Sequence, residues 1–300
     1  MKKQAFNPYL PSWEYVPDGE PYVFDGRVYV YGSHDLYNGQ AFCLGDYVGW
    51  SAPIDDLGNW RYEGITYPRM ADPANDGRMV LYAPDVTIGP DGRYYMYYSA
   101  NEHLYVAVAN SPLGPFRQQG TRMMQSLLGD EKCIDSSVFF DDDGSAWLFF
   151  VRFTDGNCIW RCRLENDLMT PVAGTLRECI HVTEPWEGRL GRVCEGPFVI
   201  KHGGQYYLTY SANDYQSQDY AVGYATAPTI DAVWTKSEKN PILHRWNGLA
   251  GCGHHSLFTD HDGQLRIVFH SHQSHSEIHP RQMHIATATF IQGRLTIGNQ

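Results

Sequence analysis

Apolar and polar positions along the chain fall into pairs of short runs, each pair joined at a glycine. The clearest pair is Val193-Cys194-Glu195-Gly196-Pro197-Phe198-Val199-Ile200, then Lys201-His202-Gly203-Gly204, then Gln205-Tyr206-Tyr207-Leu208-Thr209-Tyr210. A buried run, a Gly-Gly turn and an alternating run predict a β-hairpin. The same pattern occurs at residues 18–31 around Asp25-Gly26, at 85–98 around Asp91-Gly92, at 135–150 around Asp143-Gly144 and at 254–269 around Asp262-Gly263. The turn glycines Gly26, Gly92, Gly144, Gly204 and Gly263 recur at intervals of 66, 52, 60 and 59 residues. A repeat of that length, holding several short strands, predicts propeller blades. The expected fold is therefore all-β, a five-bladed β-propeller occupying residues 1–300 as one domain.

The polar residues at the head of each hairpin share a register. Asp18, Asp85, Asp135, Glu195 and His254 each lie seven to nine residues before their turn glycine. In a propeller the first strand of a blade lines the central channel, so these residues are expected to converge as a ring at one height. A carboxylate heading an apolar run is costly without a partner or a task. Proline-marked exits at Ala52-Pro53-Ile54, Ser111-Pro112-Leu113 and Ala227-Pro228-Thr229 fit the outer edges of blades.

Composition narrows the possible ligands. A net charge of −11 argues against nucleic acid or an anionic membrane as partner, since both need basic surface. Hydrophobic residues at 43% suffice for a substantial core, and 14% aromatics suit both half-buried strands and ring-stacking clefts. Met1-Lys2-Lys3 has no apolar segment behind it, and the seven cysteines follow no disulfide framework. Both features give a cytoplasmic expectation. Zinc held by Cys133, Cys194 and Cys252 is conceivable, but alternation turns Cys194 away from Glu195, and inert burial of the thiols is the expectation.

Paired carboxylates brought together across a channel can hydrolyse a glycosidic bond, one protonating the leaving oxygen and the other activating water or attacking. A third acid nearby would raise the pKa of the proton donor. The same acids could instead only bind water and cap strand ends. At these positions the chain resembles glycoside hydrolase family 43, five-bladed propeller enzymes with an inverting mechanism. The resemblance is carried by Asn7-Pro8-Tyr9-Leu10 with Pro17-Asp18-Gly19-Glu20-Pro21, by Tyr82-Ala83-Pro84-Asp85, by Ile134-Asp135-Ser136-Ser137 and by Cys194-Glu195-Gly196-Pro197.

The resemblance implies Asp18 as general base, Asp135 as the residue that orients and tunes the acid, and Glu195 as general acid. Glu20 shares the face of Asp18 by alternation and stays a rival base. Asp85 is a candidate for sugar hydroxyls or for closing its own turn. Arg281 resembles the arginine that donates to a sugar hydroxyl, with a surface arginine as the alternative. Trp13, Phe42, Trp50 and Trp186 are candidates for stacking on a sugar face. His254 is the expected contact, direct or through water, of a central calcium or other cation, and no organic cofactor is expected. His270, His272, His275 and His279 are expected in a solvated loop. Inversion needs the Asp18 and Glu195 carboxyls about 6.5–9.5 Å apart.

The expected activity is release of terminal α-L-arabinofuranose or β-D-xylose from small plant-derived oligosaccharides. Long segments between His34 and Trp50 and between Tyr67 and Leu81 would wall off the site. The alternatives are an endo-acting arabinanase of the same family, a catalytically silent carbohydrate-binding propeller, and a retaining furanosidase of a related five-bladed group.

Overall fold

The computed structural model describes residues 6–298, so the N-terminal lysines used for the localisation expectation lie outside the described residues. Five four-stranded antiparallel sheets account for nearly all the regular structure. Blade one holds β1 (Glu20–Phe24), β2 (Arg27–Tyr31), β3 (Tyr47–Pro53) and β4 (Arg61–Tyr67). Blade two holds β5 (Leu81–Ile88), β6 (Tyr94–Ala100), β7 (His103–Ala109) and β8 (Arg117–Gln118). Blade three holds β9 (Cys133–Phe140), β10 (Ala146–Phe153), β11 (Asn157–Arg163) and β12 (Arg177–Ile180). Blade four holds β13 (Cys194–His202), β14 (Gln205–Ala212), β15 (Ala221–Ala227) and β16 (Thr235–Lys236). Blade five holds β17 (Gly253–Thr259), β18 (Leu265–Ser271), β19 (Gln282–Ile291) and β20 (Arg294–Ile297).

Every predicted hairpin is present, and its turn glycine has positive φ, from +73° at Gly26 to +82° at Gly144. Only glycine takes that conformation without a steric cost. The first strands close a ring: β1 neighbours β5 and β17, and β9 and β13 complete the circle. The apolar faces are buried between blades rather than in one central mass. Tyr31, Met96 and Tyr98 join blades one and two, Leu148, Phe150 and Tyr97 join two and three, and Val151, Leu208 and Tyr210 join three and four. Val222, Phe269 and Leu295 join four and five, and Val30, Val268 and Ile285 join five and one.

Among the described residues no strand is exchanged to shut the ring, because each sheet is one contiguous stretch of chain. The segment before blade one instead clips onto blade five. Asn7 Nδ2 donates to Ile285 O and Asn7 Oδ1 accepts from Ile285 N, both at 2.8 Å. A side-chain amide thus takes the place of a strand neighbour.

The candidate ring needs one correction of register. Each inner strand, or the two residues leading into it, carries a positive-φ position: Asp18 (58°), Ala83 (28°), Asp135 (54°), Gly196 (54°) and His254 (40°). In blades two to five the pairing of the first and second strands slips there, as a β-bulge. Counted from these bulges, Asp85 stands two residues deeper, level with Glu20 rather than with Asp18. Non-glycine residues held at positive φ cluster where a site has been built.

Candidate active site

A cavity of about 290 Å³ opens at the bulged end of the channel. Asp18, Asp135, Glu195, His254, Arg281 and Phe42 all line it. The remaining stacking and hydroxyl candidates do not. Trp13 is 55% exposed, and its ring lies 6.0 Å from that of Trp50. Trp50 is buried and donates its indole N–H to Glu14 Oε2. Trp186 stacks on Tyr210 behind β13. Asp85 is fully buried and accepts from the backbone N–H of Val138 at 2.6 Å. Of the two long segments, the one between β2 and β3 reaches the cavity through Phe42 and Cys43, whereas the one between β4 and β5 contributes nothing to its lining.

Asp18 sits among positive and neutral donors. Arg281 Nη1 donates to its two oxygens at 2.9 and 3.2 Å, and Ser33 Oγ donates to Oδ2 at 2.6 Å. Nδ1 of His270 stands 3.0 Å from Oδ1, and Nδ1 of His254 stands 3.5 Å away. Burial alone would raise this carboxyl, but Arg281, His254 and His270 together hold it well below the usual carboxylate range. The base candidate is therefore ionised.

Arg281 does more than line the pocket. Its Nε and Nη2 donate to Asp35 at 3.0 Å, and Nη2 also reaches Cys43 Sγ. Guanidinium planarity lets one side chain clamp both carboxylates. Most of its donors are spent on Asp18 and Asp35, so from the cavity wall it holds the candidate base in place. Nothing in the pattern near His34 singled out Asp35, which is completely buried as the second anchor of this clamp.

Glu195 is surrounded differently. Tyr220 Oη donates to Oε1 at 2.8 Å and Asn157 Nδ2 donates to Oε2 at 2.9 Å. Among the described residues no Lys, Arg or His forms an ion pair with it. Burial pushes the carboxyl up to about 7 against the pull of these two donors. Asp135 accepts from the backbone N–H of Gly196 at 3.1 Å, one residue beyond Glu195. Burial, and then the neighbouring Glu195, raise Asp135 well above its ordinary value. These two acids hold their protons where Asp18 does not.

The rival base falls away on the same reasoning. Glu20 is buried one layer below the cavity, and burial with Asp85 beside it raises its carboxyl well above normal. Asp85 is itself raised to about 7 by burial. A neutral acid outside the pocket cannot take a proton from water.

The histidines depart from the solvated-loop expectation. His270 and His272 are buried at 0% and 3% exposure, and only His275 projects from the loop. His270 stacks on Tyr220 at 5.7 Å, which links the surroundings of Asp18 to those of Glu195. Burial lowers His254, and lowers His270 to about 4, so both rings are neutral at ordinary pH.

The cation implied for His254 has to be judged by its donors. Calcium takes six to eight oxygens, whereas the His254 ring faces Asp18 and Asp135 at 3.5 and 3.9 Å. Among the described residues no group of three or more His, Cys, Asp or Glu is arranged to hold a metal. These residues do not fit a directly liganded calcium.

Residues 23–293 match the family described as "Glycosyl hydrolases family 43". The chain belongs to that family. Among its relatives is a "Xylosidase/arabinosidase" from Thermoclostridium stercorarium, 44% identical over 228 residues that make up 71% of this chain and 48% of the relative. This chain thus spans about half of that relative's length. Among solved structures of the same fold, one named an endo-1,4-beta-xylanase from Bacteroides thetaiotaomicron is 38% identical, with TM-score 0.84 over 96% of each chain. A thermostable family-43 glycoside hydrolase is 28% identical, with TM-score 0.84 over 99% of this chain and 96% of that one.

Proposed function

We propose that this family-43 chain is an inverting glycoside hydrolase that removes terminal pentose, α-L-arabinofuranose or β-D-xylose, from plant-derived oligosaccharides. Asp18 takes a proton from a water whose oxygen bonds to the anomeric carbon. The carbon–oxygen bond to the leaving group breaks, and Glu195 gives its proton to the departing oxygen. Asp135, which accepts the backbone N–H of Gly196, helps hold the neighbouring Glu195 in place.

The observation that carries this reading is the split in protonation. Two carboxyls lining one cavity are driven apart, Asp18 downwards by Arg281 and Glu195 up to about 7 by burial. That is how acid and base roles are assigned to chemically similar groups. At about 290 Å³ the cavity falls just below the usual range of about 300–1,000 Å³ for ligand sites, which favours a chain end over the middle of a polymer. The name of the 44%-identical relative supports the pentose. The name of the 38%-identical structure supports an endo-acting reading, which the crowded rings at one side of the mouth disfavour.

Proton NMR of the fresh product of xylobiose or an arabino-oligosaccharide tests the proposal. The expected first product is a single pentose with inverted anomeric configuration. A retained anomer would point to a nucleophilic carboxylate, and release of internal fragments from a polymer to endo action. Binding without turnover would leave a carbohydrate-binding propeller.

A further inference from the structure

The mouth of the cavity is uneven. At one side Phe42 packs with Tyr82, Tyr215 and His279, its ring centroid 5.8–6.2 Å from theirs. At the other side, next to Glu195, stands Phe153, 43% exposed, with Ile134 and Val193 beside it in the wall. A lone exposed phenylalanine is ordinary on a protein surface. What sets this one apart is that the acid's own support fixes its position.

Phe153 is the last residue of β10 and pairs directly with Asn157, the first of β11. Residues directly opposite in an antiparallel pair send their side chains to the same face. Asn157 Nδ2 donates to Glu195 Oε2, so the phenyl ring lies on the face of the hairpin that looks at the acid. The tip of this hairpin is fastened to the segment leading into β13. Asn157 N donates to Arg192 O at 2.8 Å, and Arg192 pairs with Asp155 at 2.6 Å. Gly156, at φ +77°, packs so tightly there that a Cβ would stand 2.0 Å from the Arg192 carbonyl oxygen. From the neighbouring position Arg152 lies over the Trp160 ring at 4.1 Å and donates to Glu131. Phe153 therefore projects from a braced hairpin, an apolar surface held in fixed relation to Glu195.

We propose that Phe153, edged by Ile134 and Val193, is the leaving-group subsite of this enzyme. It stacks on the ring of the sugar attached to the oxygen that Glu195 protonates. The inference rests on the reading of Glu195 as general acid. The acid must touch the oxygen between two sugar units, so the unit being expelled has to lie beside it. A sugar ring offers a C–H face to an aromatic one, and Phe153 with its two neighbours provides the apolar surface at that place.

The test compares wild type and Phe153→Ala on a pentose disaccharide and on the matching pentosyl fluoride, whose leaving group has no ring to stack. The expected result is a fall of about tenfold in kcat/KM for the disaccharide, with the fluoride changed by less than about twofold. Phe153→Trp should keep disaccharide turnover, and a thermal melt of each variant confirms the fold. Equal loss on both substrates, or loss on neither, overturns the subsite while wild-type turnover upholds the reaction. A wild-type enzyme inactive on both substrates overturns the reaction and the subsite together.

Discussion

The two walls of the cavity solve opposite problems with similar acids. On the side of blades one and five, Asp18 and Asp35 share one guanidinium, Arg281, and Asp18 stays ionised. On the side of blades three and four, Glu195 is also buried but is held by the neutral donors Tyr220 and Asn157, and keeps its proton to about pH 7. Burial penalises charge on both walls. The presence or absence of one cation decides which carboxyl can accept a proton and which can give one.

The largest expected effect breaks the two walls one at a time. Asp18→Asn should lower kcat by about 10²–10⁴-fold on every substrate. Glu195→Gln should do the same on a disaccharide, and much less on a pentosyl fluoride, whose departure needs no proton. Glu20→Gln replaces a carboxyl that is already neutral and should leave kcat unchanged. A collapse in that variant would move the base to Glu20 and undo the comparison. Steady-state kinetics on the same two substrates reads all three.

Next comes the clamp itself. Arg281→Met leaves Asp18 and Asp35 buried without a counter-charge and should cost about 3–5 kcal/mol in urea unfolding. The acid side of its pH profile should move upwards, because Asp18 loses the charge that holds it down.

A smaller effect concerns pH. Activity needs Glu195 protonated, so kcat/KM should fall as pH rises through about 7, the value to which burial raises this acid. It should hold on the acid side to below the usual carboxylate range, because Asp18 remains ionised there. The Tyr220 hydroxyl favours the charged form of Glu195. Tyr220→Phe should therefore shift the alkaline limb upwards by about one unit, and an unmoved limb would assign it to another group. The smallest effect is expected at Trp13, outside the cavity. Trp13→Ala should leave kcat/KM unchanged and stability within about 0.5 kcal/mol.

The hairpins were legible because period-two runs and turn glycines depend on local geometry. Asp18, Asp135 and Glu195 were legible because their motifs recur near the same distance from those glycines. Asp85 misled for the same reason. Distance to the turn does not reveal a bulge, and the bulge at Ala83 drops Asp85 a layer below the cavity. Asp35, Tyr220 and Asn157 come from connecting segments or other strands, so no register relates them to their partners. One signal was there to be found. Ser33, Ser99, Ser211 and Ser271 follow their turn glycines by seven or eight residues. Three of them accept the backbone N–H of a bulged residue in the next blade, at Ala83, Asp135 and His254. Histidine was misjudged because His270 reads as a polar residue in a polar stretch, whereas β18 carries it into the channel wall.

A circle assembled from uninterrupted pieces has a join, and in this molecule the join falls between the first piece and the last. Besides Asn7, Arg281 bridges it at the channel, reaching from the last piece to Asp18 and Asp35 on the first, with His254 and His270 beside it. The contact that readies the proton acceptor is therefore also a rivet. Heat or denaturant that parts the ends should abolish turnover in the same step that opens the circle, with no inactive but still closed form in between.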